Sequence, residues 1–427
     1  MAIALAKGIS PARLAAFKIL QQVEGGAFSS VLLAAEEPRL QAIDRALCHE
    51  LVLGSLRWQL LLDKTVEHFS KRRVESLDPP VRIALRLGLY QLRFLTRIPN
   101  SAAVNESVNL VRMARLSSAA AFVNAVLRRA VREPDYDPAA DVSDPLEKLA
   151  IETSHPVWLI ERWTTSFGLD EARAFAHANN LVPPTAFRVV ANRAEESEVL
   201  SRLSAAGAML ESSKVRTGAW RVTGGTAVLR DLSAEGKIYL QDDASQLVAQ
   251  VVDVKPGERV LDLCAAPGGK TTLMADQGDG AVIVAADRSP TRIDTIVGTM
   301  RLHGLDNIEP VLLDATQELP FRNGSFDKVL VDAPCSGTGT LRRNPEIRWR
   351  LSPADIPALA LQQKAILRMA VKMVKPGGSL VYSTCSVERE ENEEVVAESG
   401  LRPLETIRTW PHRDGCDAFF IASFKHL

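Results

Sequence analysis

Hydrophobic positions in the first third of the chain recur every three to four residues, which is the period of a helix with one buried face. Ser10 and Pro11 form an N-cap and first-turn pair before the segment ARLAAFKILQQV. The same period continues through DRALCHELVLGSLRWQLLLDKTVEHF, PVRIALRLGLYQLRFL, AAVNESVNLVRMARL and AAFVNAVLRRAVRE. We therefore predict an all-α bundle, with Arg128, Arg129 and Arg132 of its last helix facing solvent or RNA.

The segment EPDYDPAADVSDP concentrates Pro, Asp and Ala without hydrophobic periodicity, which is typical of a linker. A domain boundary near residue 140 follows from it. We predict that residues 1–138 form the helical domain.

A second domain is predicted over residues 145–235. A helical start, HPVWLIERWTTSF, gives way to TAFRVVANR, a helical EESEVLSRLSAAG, and strand-like runs around AWRVTG and AVLRDL. This order favours a small α/β domain of the RRM-like type that connects or binds RNA. Its Trp158, Trp163 and Trp220 are candidates for stacking on bases, although packing in the core is the commoner role of such side chains and is the one we favour.

From residue 236 to residue 427 strands alternate with helices, beginning at RVLDLCAAPGGKT and continuing through AVIVAADRS, EPVLLDA, DKVLVDAPC and SLVYSTCS. Alternation of this kind predicts a mostly parallel, doubly wound sheet. The predicted fold is therefore multidomain: a helical bundle, a small α/β domain and a Rossmann-like α/β domain.

The net charge of −1 conceals an asymmetry between the two ends of the chain. Residues 1–135 contain 19 Lys and Arg against 12 Asp and Glu, a net charge of +7, so the remainder carries −8. A basic first domain on a slightly acidic body is typical of proteins that handle nucleic acid with a separate docking module. A basic solvated helical surface explains the charge equally well at this point.

Charged residues interrupt every apolar stretch well before the roughly 18 residues that a membrane span needs. The opening MAIALAKGIS lacks the features of a secretory signal, so we expect a cytoplasmic protein without membrane association. The five cysteines are widely spaced and form no C-x-x-C pair, so we expect neither disulfides nor a bound metal. No feature of the sequence points to an obligate protein partner.

The strand RVLDL runs directly into CAAPGGK, residues 264–270, and then into the helical TTLMADQ. A ligand is expected at the carboxyl end of such a strand. Gly268 and Gly269 allow the backbone to approach it, and the next helix presents unpaired N–H groups. The loop matches neither G-x-G-x-x-G nor the P-loop pattern, and a purely structural glycine turn is the alternative.

Acidic residues follow the next strands at the same edge of the predicted sheet. Asp287 closes IVAAD, Asp314 ends VLLD, and Asp332 ends VLVD. A carboxylate in the first of these positions can accept both hydroxyls of a ribose. Any one of the three could be an ordinary cap or turn residue, but together they indicate a common cleft.

Two cysteines sit at strand ends near this cleft, Cys335 in DAPCSGTG and Cys385 in YSTCSVERE. Carbon 5 of cytosine is too electron-poor to accept a methyl cation, so an enzyme first adds a nucleophile to C6, and a thiolate suits that reversible addition. From spacing alone either cysteine could be the nucleophile. For Cys48 we predict the ordinary role of a small buried hydrophobe.

The motifs CAAPGGKT, DAPCSGTGTLRRNPEIRW and YSTCSVEREENEEVV resemble those of RNA cytosine-5 methyltransferases, the NOL1/NOP2/Sun family. The N-terminal IPNSAAVNESVNLVR and FVNAVLRRAV resemble a NusB-type RNA-binding domain that precedes the enzyme in one bacterial branch of that family. SHPVWLIERW, YLQDDASQLVA and GCDAFFIASFKH are also similar to that branch, so the resemblance covers nearly the whole chain.

The resemblance implies roles for individual residues. S-adenosyl-L-methionine would be the co-substrate, bound by Cys264, Ala265, Ala266, Pro267, Gly268, Gly269, Lys270, Asp287, Asp314 and Asp332. Cys385 would be the nucleophile and Cys335 would help to release the product. Asp332 would also hold the N3 and N4 edge of the base, with Lys270 as an electrostatic partner unless it forms only a surface salt bridge.

The substrate implied by the resemblance is cytidine 967 of 16S rRNA, in the usual rRNA numbering, in the free RNA or a partly assembled small subunit. Its base must leave the stack to react, which is easier in a hairpin loop than in a duplex. Two other readings are less favoured. A methyltransferase acting on an exocyclic nitrogen needs an acidic-Pro-Pro-aromatic motif that DAPC does not supply, and a non-catalytic RNA-binding protein would not need the cofactor loop and both cysteines.

Overall fold

The structure, a computed structural model, describes residues 8–426. The chain divides into two compact units. One extends to Leu181 and also includes Leu341–Arg350, and the other comprises Val182–Thr340 and Leu351–Leu427. Compact units are a coarser division than domains, so the limits 1–138, 145–235 and 236–427 stay a prediction. In the part of the chain that the structure describes, no helix has both the length and the apolar character of a membrane span.

The first unit is helical, as the periodicity predicts. Its helices are α1 (Pro11–Glu24), α2 (Ser29–Glu36), α3 (Ala42–Arg57), α4 (Gln59–Ser70), α5 (Pro79–Phe94), α6 (Asn100–Met113), α7 (Ala120–Arg132), α8 (Pro145–Thr153), α9 (Val157–Phe167) and α10 (Leu169–Ala178). Buried aliphatic side chains of α1, α3, α5, α6 and α7 form one continuous core that includes Cys48, as predicted for that residue. Gly54 of α3 lies against the ring of Tyr90 on α5, and a Cβ atom at Gly54 would be only 2.0 Å from that ring. The two helices can approach this closely because glycine has no side chain.

Three sequence-based expectations in this unit can be compared with the structure. The long segment predicted as helical through Trp58 is interrupted at that residue, which stacks on Phe94 with ring centroids 4.9 Å apart. The predicted linker forms no helix or strand between Glu133 and Asp144. Arg128 and Arg132 are exposed, whereas Arg129 is half-buried.

A short segment from the C-terminal half of the sequence, Leu341–Arg350, also belongs to the helical unit. It contains the turn of helix α16 (Ile347–Arg350). Within it Arg348 is fully buried and donates hydrogen bonds to the backbone oxygens of Arg57 and Ser154, at 3.3 and 3.0 Å. Burial lowers the pKa of Arg348 to about 9, and the charge of Arg57 acts in the same direction.

The second unit begins with a small α/β fold. Its elements are β1 (Thr185–Val189), α11 (Glu196–Ala205), β2 (Met209–Ser212), β3 (Ala219–Thr223), α12 (Thr226–Ala234) and β4 (Ile238–Leu240). The strands form an antiparallel sheet in the order β2-β3-β1-β4. Trp220 on β3 packs against the core of this fold, and Trp163 on α9 of the helical unit is fully buried, in agreement with the packing role that we favoured.

The prediction of a strand at AVLRDL is wrong, because these residues lie in α12. Leu229 and Leu232 are spaced by three positions, so a helix places both on one face, where they pack with Val199 and Leu203 of α11. Six residues are too few to separate this spacing from the alternation of a strand.

The remaining elements are α13 (Asp243–Val252), β5 (Arg259–Asp262), α14 (Gly269–Gln277), β6 (Val282–Asp287), α15 (Pro290–His303), β7 (Ile308–Leu312), β8 (Phe326–Asp332), α17 (Asp355–Met373), β9 (Val374–Thr384), α18 (Glu393–Glu398), β10 (Glu405–Arg408), α19 (Pro411–Asp414) and β11 (Phe420–Lys425). The sheet order is β10-β11-β9-β8-β5-β6-β7, with parallel pairing from β9 to β7. The mostly parallel sheet is thus confirmed, whereas the antiparallel β10 and β11 at one edge were not predicted. Strand β5 has β6 on one side and β8 on the other, and ligands bind where the strand order reverses in this way.

Candidate active site

The loop between β5 and α14 contains the two glycines expected to face a ligand. Gly268 has φ +101°, a conformation that favours glycine, and it immediately precedes the first residue of α14. A Cβ atom at Gly269 would come within 2.8 Å of the ring of Tyr239. The first glycine therefore sets the backbone conformation, and the second permits close packing.

The predicted carboxylates follow neighbouring parallel strands. Asp287 and Asp332 are the last residues of β6 and β8, and Asp314 lies two residues beyond β7. Asp287 is buried, and its Oδ1 accepts a hydrogen bond from the backbone N–H of Ser289 at 2.9 Å. Asp314 accepts hydrogen bonds from the backbone N–H and hydroxyl of Thr316, which lower the pKa of its carboxyl.

These side chains share one cavity with both candidate cysteines. The cavity has a volume of about 260 Å³ and is lined by Asp287, Asp314, Asp332, Cys335 and Cys385. The parallel strands bring these residues together although 98 positions separate the first from the last. The common cleft inferred from the strand ends is therefore present in the fold.

Sequence reasoning missed other residues that line this cavity. Arg288 and Arg292 follow Asp287, and Gln362 and Ile366 lie one turn apart on α17. No motif distinguishes these four positions, and only the spacing of four on α17 could have suggested that the last two share a face.

A second, smaller cavity is lined in part by the loop between β5 and α14. It has a volume of about 170 Å³ and is lined in part by Ala265, Pro267, Gly269 and Lys270. Both cavities share the wall formed by Cys264, Ala266 and Asp332, whereas Gly268 lines neither of them. Tyr239 and Asp262, which also line the smaller cavity, were not singled out from the sequence.

Lys270 and Asp332 form an ion pair at this shared wall. The Nζ atom of Lys270 lies 2.6 Å from Oδ2 of Asp332, and the hydroxyl of Ser383 donates to Oδ1 at 2.7 Å. The two side chains are 12% and 25% exposed, so the pair is not the surface salt bridge that we considered as an alternative. Burial alone would lower the pKa of Lys270, but the Asp332 carboxylate outweighs it and the pKa is raised. The Lys270 Nζ atom also lies 5.2 Å from the ring centroid of Phe419.

Asp262, the last residue of β5, is buried where the loop to α14 begins. The hydroxyl of Thr271 donates to its Oδ2 at 2.8 Å. Burial raises the pKa of Asp262 to about 7, although the hydrogen bond from Thr271 acts in the opposite direction.

The Sγ atoms of Cys335 and Cys385 lie 3.4 Å apart, within hydrogen-bonding distance for sulfur. Both residues are free thiols. The pKa of Cys335 is raised, first by its hydrogen bond with Cys385, then by burial, and also by the charge of Glu391. Burial and the charge of Asp262 raise the pKa of Cys264, so that thiol is a poor nucleophile although it lines the same cavity.

The sequence of the C-terminal region matches a known enzyme family. Residues 249–403 match the family model described as 16S rRNA methyltransferase RsmB/F. A probable ribosomal RNA small subunit methyltransferase B of Bacillus subtilis is 34% identical over 95% of this chain and 96% of its own length. The chain belongs to the 16S rRNA methyltransferase RsmB/F family. This is a family of S-adenosylmethionine-dependent enzymes, and the resemblance inferred from the three motifs is confirmed.

Other comparisons support the RsmB/F architecture along the whole chain. Residues 10–132 match the NusB family, and residues 155–229 match the ferredoxin-like domain of RsmF/B-like methyltransferases, which confirms the predicted kinds of domain. Ribosomal RNA small subunit methyltransferase B of Pseudomonas putida is 34% identical over 96% of this chain and 97% of its own. The crystal structure of PH0851 is similar over 97% of this chain and 98% of its own, with 28% identity and a TM-score of 0.83. A methyltransferase homolog from Pyrococcus horikoshii matches 67% of this chain and 100% of its own, with 28% identity and a TM-score of 0.59.

Proposed function

We propose that the protein transfers a methyl group from S-adenosyl-L-methionine to C5 of a cytidine in 16S rRNA through a covalent bond between Cys385 and C6 of the base. One observation carries the proposal: two thiols with sulfur atoms 3.4 Å apart open onto a cavity that also contains three carboxylates at strand ends. Membership of an rRNA methyltransferase family gives the reaction class. The pair of thiols points to carbon rather than nitrogen as the acceptor.

The larger cavity fits S-adenosylmethionine by the chemistry of its lining. The Oδ2 atom of Asp287 lies 3.8 Å from the guanidinium group of Arg292 and can still accept hydrogen bonds from the hydroxyl groups of a ribose. Apolar side chains such as Leu313 and Ile366 line the same space and suit the flat face of an adenine ring. When bound, S-adenosylmethionine supplies an electrophilic methyl group. The loop from Cys264 to Lys270 would complete the cofactor site with its backbone.

Asp332 is suited to hold the base. Lys270 and Ser383 fix its two oxygens, so the carboxylate is oriented before any substrate binds. A hydrogen bond from the cytosine N4 amino group to this carboxylate would orient the ring. The ammonium group of Lys270 would oppose the build-up of negative charge on the ring when sulfur adds to C6.

The two thiols divide the covalent steps. Cys385, as a thiolate, forms the bond to C6, and the electron pair of the C5–C6 double bond makes C5 nucleophilic. Transfer of the methyl group to C5 leaves S-adenosyl-L-homocysteine. A water molecule would then take the C5 proton, the electron pair of that C–H bond would re-form the C5–C6 double bond, and the C6–S bond would break and return its pair to Cys385 as a thiolate. Cys335, whose raised pKa keeps it protonated, would assist this release.

The helical unit would provide the affinity for RNA. Residues 1–135 carry a net charge of +7, and exposed cations bind phosphates with an affinity that falls as salt rises. We further propose cytidine 967 as the target, in free 16S rRNA or a partly assembled small subunit in the cytoplasm. The base would swing out of a hairpin loop to reach Cys385.

The test is methylation of 16S rRNA fragments by the purified protein, followed by bisulfite sequencing. We expect a protected cytosine at position 967 that is absent when Cys385→Ala replaces the wild-type protein. A methyl group on an exocyclic nitrogen, identified by nucleoside mass spectrometry, would refute C5 as the acceptor. A protected cytosine elsewhere would refute only the assigned position.

A further inference from the structure

Each of the two site cysteines is followed by a serine, and both serines bind the same carboxylate. The hydroxyl groups of Ser336 and Ser386 each donate to Oε2 of Glu391 at 2.5 Å. Their two Oγ atoms are 3.1 Å apart. The turn that carries Cys335 and the turn that carries Cys385 are therefore joined through one side chain.

Glu391 is fully buried and is held by uncharged donors. Its Oε1 accepts hydrogen bonds from the backbone N–H of Ser336 at 2.8 Å and from Nε2 of Gln363 at 2.9 Å. Among residues 8–426, no Lys, Arg or His side chain forms an ion pair with it. Burying a carboxylate without a cation lowers the stability of the fold. Residues that are unfavourable for stability in this way are concentrated at functional sites.

The neighbours of Glu391 extend the same restraint. The Nε2 atom of Gln363 also donates to the backbone oxygen of Pro334 at 2.9 Å, immediately before Cys335. Asn392 accepts a hydrogen bond from the hydroxyl of Thr384 at 2.5 Å and donates to the backbone oxygen of Ser386 at 2.9 Å. The residues on both sides of each cysteine are thus fixed, while the sulfur atoms themselves face the cavity.

We propose that Glu391 is a positioning residue that ties the two cysteine turns together and fixes the sulfur atoms of Cys335 and Cys385 beside each other. This inference rests on the proposed roles of the two thiols. The negative charge of Glu391 has a second effect, because it helps to keep Cys335 protonated. Cys335 can then donate its hydrogen to Cys385, which distinguishes the two sulfurs chemically.

The test compares wild-type protein with Glu391→Gln, which keeps the size of the side chain but removes its charge and one acceptor atom. The first measurement is the rate at which the oxidant diamide converts the two thiols into a disulfide, followed by peptide mass mapping. Two thiols lose their hydrogens to diamide, which becomes a hydrazine, so the rate reports sulfur proximity without RNA or methyl transfer. We expect Glu391→Gln to slow this reaction at least tenfold.

Two further measurements separate positioning from general stability. In Glu391→Gln, kcat for methyl transfer should fall at least tenfold while affinity for S-adenosylmethionine changes less than twofold. Alkylation of Cys335 should shift to lower pH, because loss of a nearby negative charge lowers the pKa of a thiol. Glu394→Gln, an exposed glutamate three positions further along, is the matched control and should match wild type in every measurement.

If Glu391→Gln forms the disulfide and transfers the methyl group at the same rates as the wild-type protein, the proposal is wrong. If this variant does not fold, Ser386→Ala removes one of the two hydroxyl links, and an unchanged disulfide rate there would overturn it instead. If Glu391 governs the disulfide rate but the wild-type protein does not methylate cytidine at C5, the proposed function fails and the positioning role stands. If C5 methylation is found and neither variant alters either rate, only the positioning role fails.

Discussion

The Nζ atom of Lys270 lies 2.6 Å from Oδ2 of Asp332 at the wall shared by the two cavities of the site. Exposed ion pairs contribute only about 0–1 kcal/mol, but removing one partner of an enclosed pair leaves an uncompensated charge at a cost of roughly 3–5 kcal/mol. Because the Lys270 side chain is only 12% exposed, loss of one partner of this pair should cost a free energy closer to that of an enclosed pair. In the proposed reaction, the pair would therefore set the charge that the base meets at Asp332.

Lys270→Met should reduce methyl transfer strongly. The variant removes the cation that we propose opposes negative charge on the ring, and loss of one such stabilising group typically lowers kcat about 100- to 1,000-fold. Affinity for S-adenosylmethionine, measured by calorimetry, should change less. Lys255→Met is the control, since Lys255 forms an exposed pair with Asp253 in the same unit, and an equal loss of kcat there would contradict the assignment.

The two cysteine variants should differ in whether they form a covalent adduct with substrate RNA. We expect Cys385→Ala to abolish methyl transfer and to form no adduct, because no sulfur reaches C6. Cys335→Ala should accumulate a covalent protein–RNA adduct, because release of the thioether is slowed. Denaturing gels of both variants with substrate RNA distinguish the cases. An adduct with Cys385→Ala and none with Cys335→Ala would reverse the two roles.

Asp287→Ala should weaken binding of S-adenosylmethionine. The carboxylate lies at the end of β6 in the cavity, and we propose it as the acceptor for the ribose hydroxyls. Loss of hydrogen bonds to a charged group costs roughly 1.5–3 kcal/mol, which corresponds to about a 10- to 150-fold increase in Kd. Asp294→Ala on the exposed face of α15 serves as the control in the same titration. Equal affinities of both variants would place the ribose elsewhere.

The cleft could be predicted from the sequence because each of its polar residues lies next to its own strand along the chain. Strands β6, β7 and β8 each have an aspartate at their carboxyl end or two residues beyond it, and parallel pairing places those ends along one edge of the sheet. Glu391 could not be predicted, since its role depends on two serines that lie 55 and 5 positions away and meet only in the fold. The place of Leu341–Arg350 in the helical unit escaped prediction for the same reason, because Arg348 finds its partners 291 and 194 positions earlier.

Asp262→Asn should change the pH dependence of stability. The pKa of Asp262 is raised from 3.8 to about 7, so the folded state holds the proton more tightly than the unfolded state. The wild-type protein therefore loses stability as pH rises from about 4 to about 7, and a neutral asparagine avoids this loss. We expect the melting temperature of Asp262→Asn, relative to wild type, to be several degrees higher at pH 8 than at pH 5.

The control for this measurement is Asp279→Asn, an exposed carboxylate of the same unit. Its melting temperature relative to wild type should be the same at both pH values. A pH-independent difference for Asp262→Asn would mean that the carboxyl group titrates near its ordinary value in the folded protein.

Arg128 and Arg132 provide a test of RNA binding that leaves the helical unit intact. Deleting residues 1–135 should weaken RNA binding more than binding of S-adenosylmethionine, but it also removes Leu56 and Arg57, which bind Leu341–Arg350. Replacing the two exposed arginines with alanine avoids that damage. If both arginines contact phosphates, the slope of log affinity against log salt concentration should fall by roughly 1–2 in magnitude, without a change in affinity for S-adenosylmethionine.

The control is Arg39→Ala, which should keep the wild-type slope because the charge of Arg39 is already paired with Glu36 at 3.1 Å. An unchanged slope in the double variant would place the RNA on another face of the helical unit.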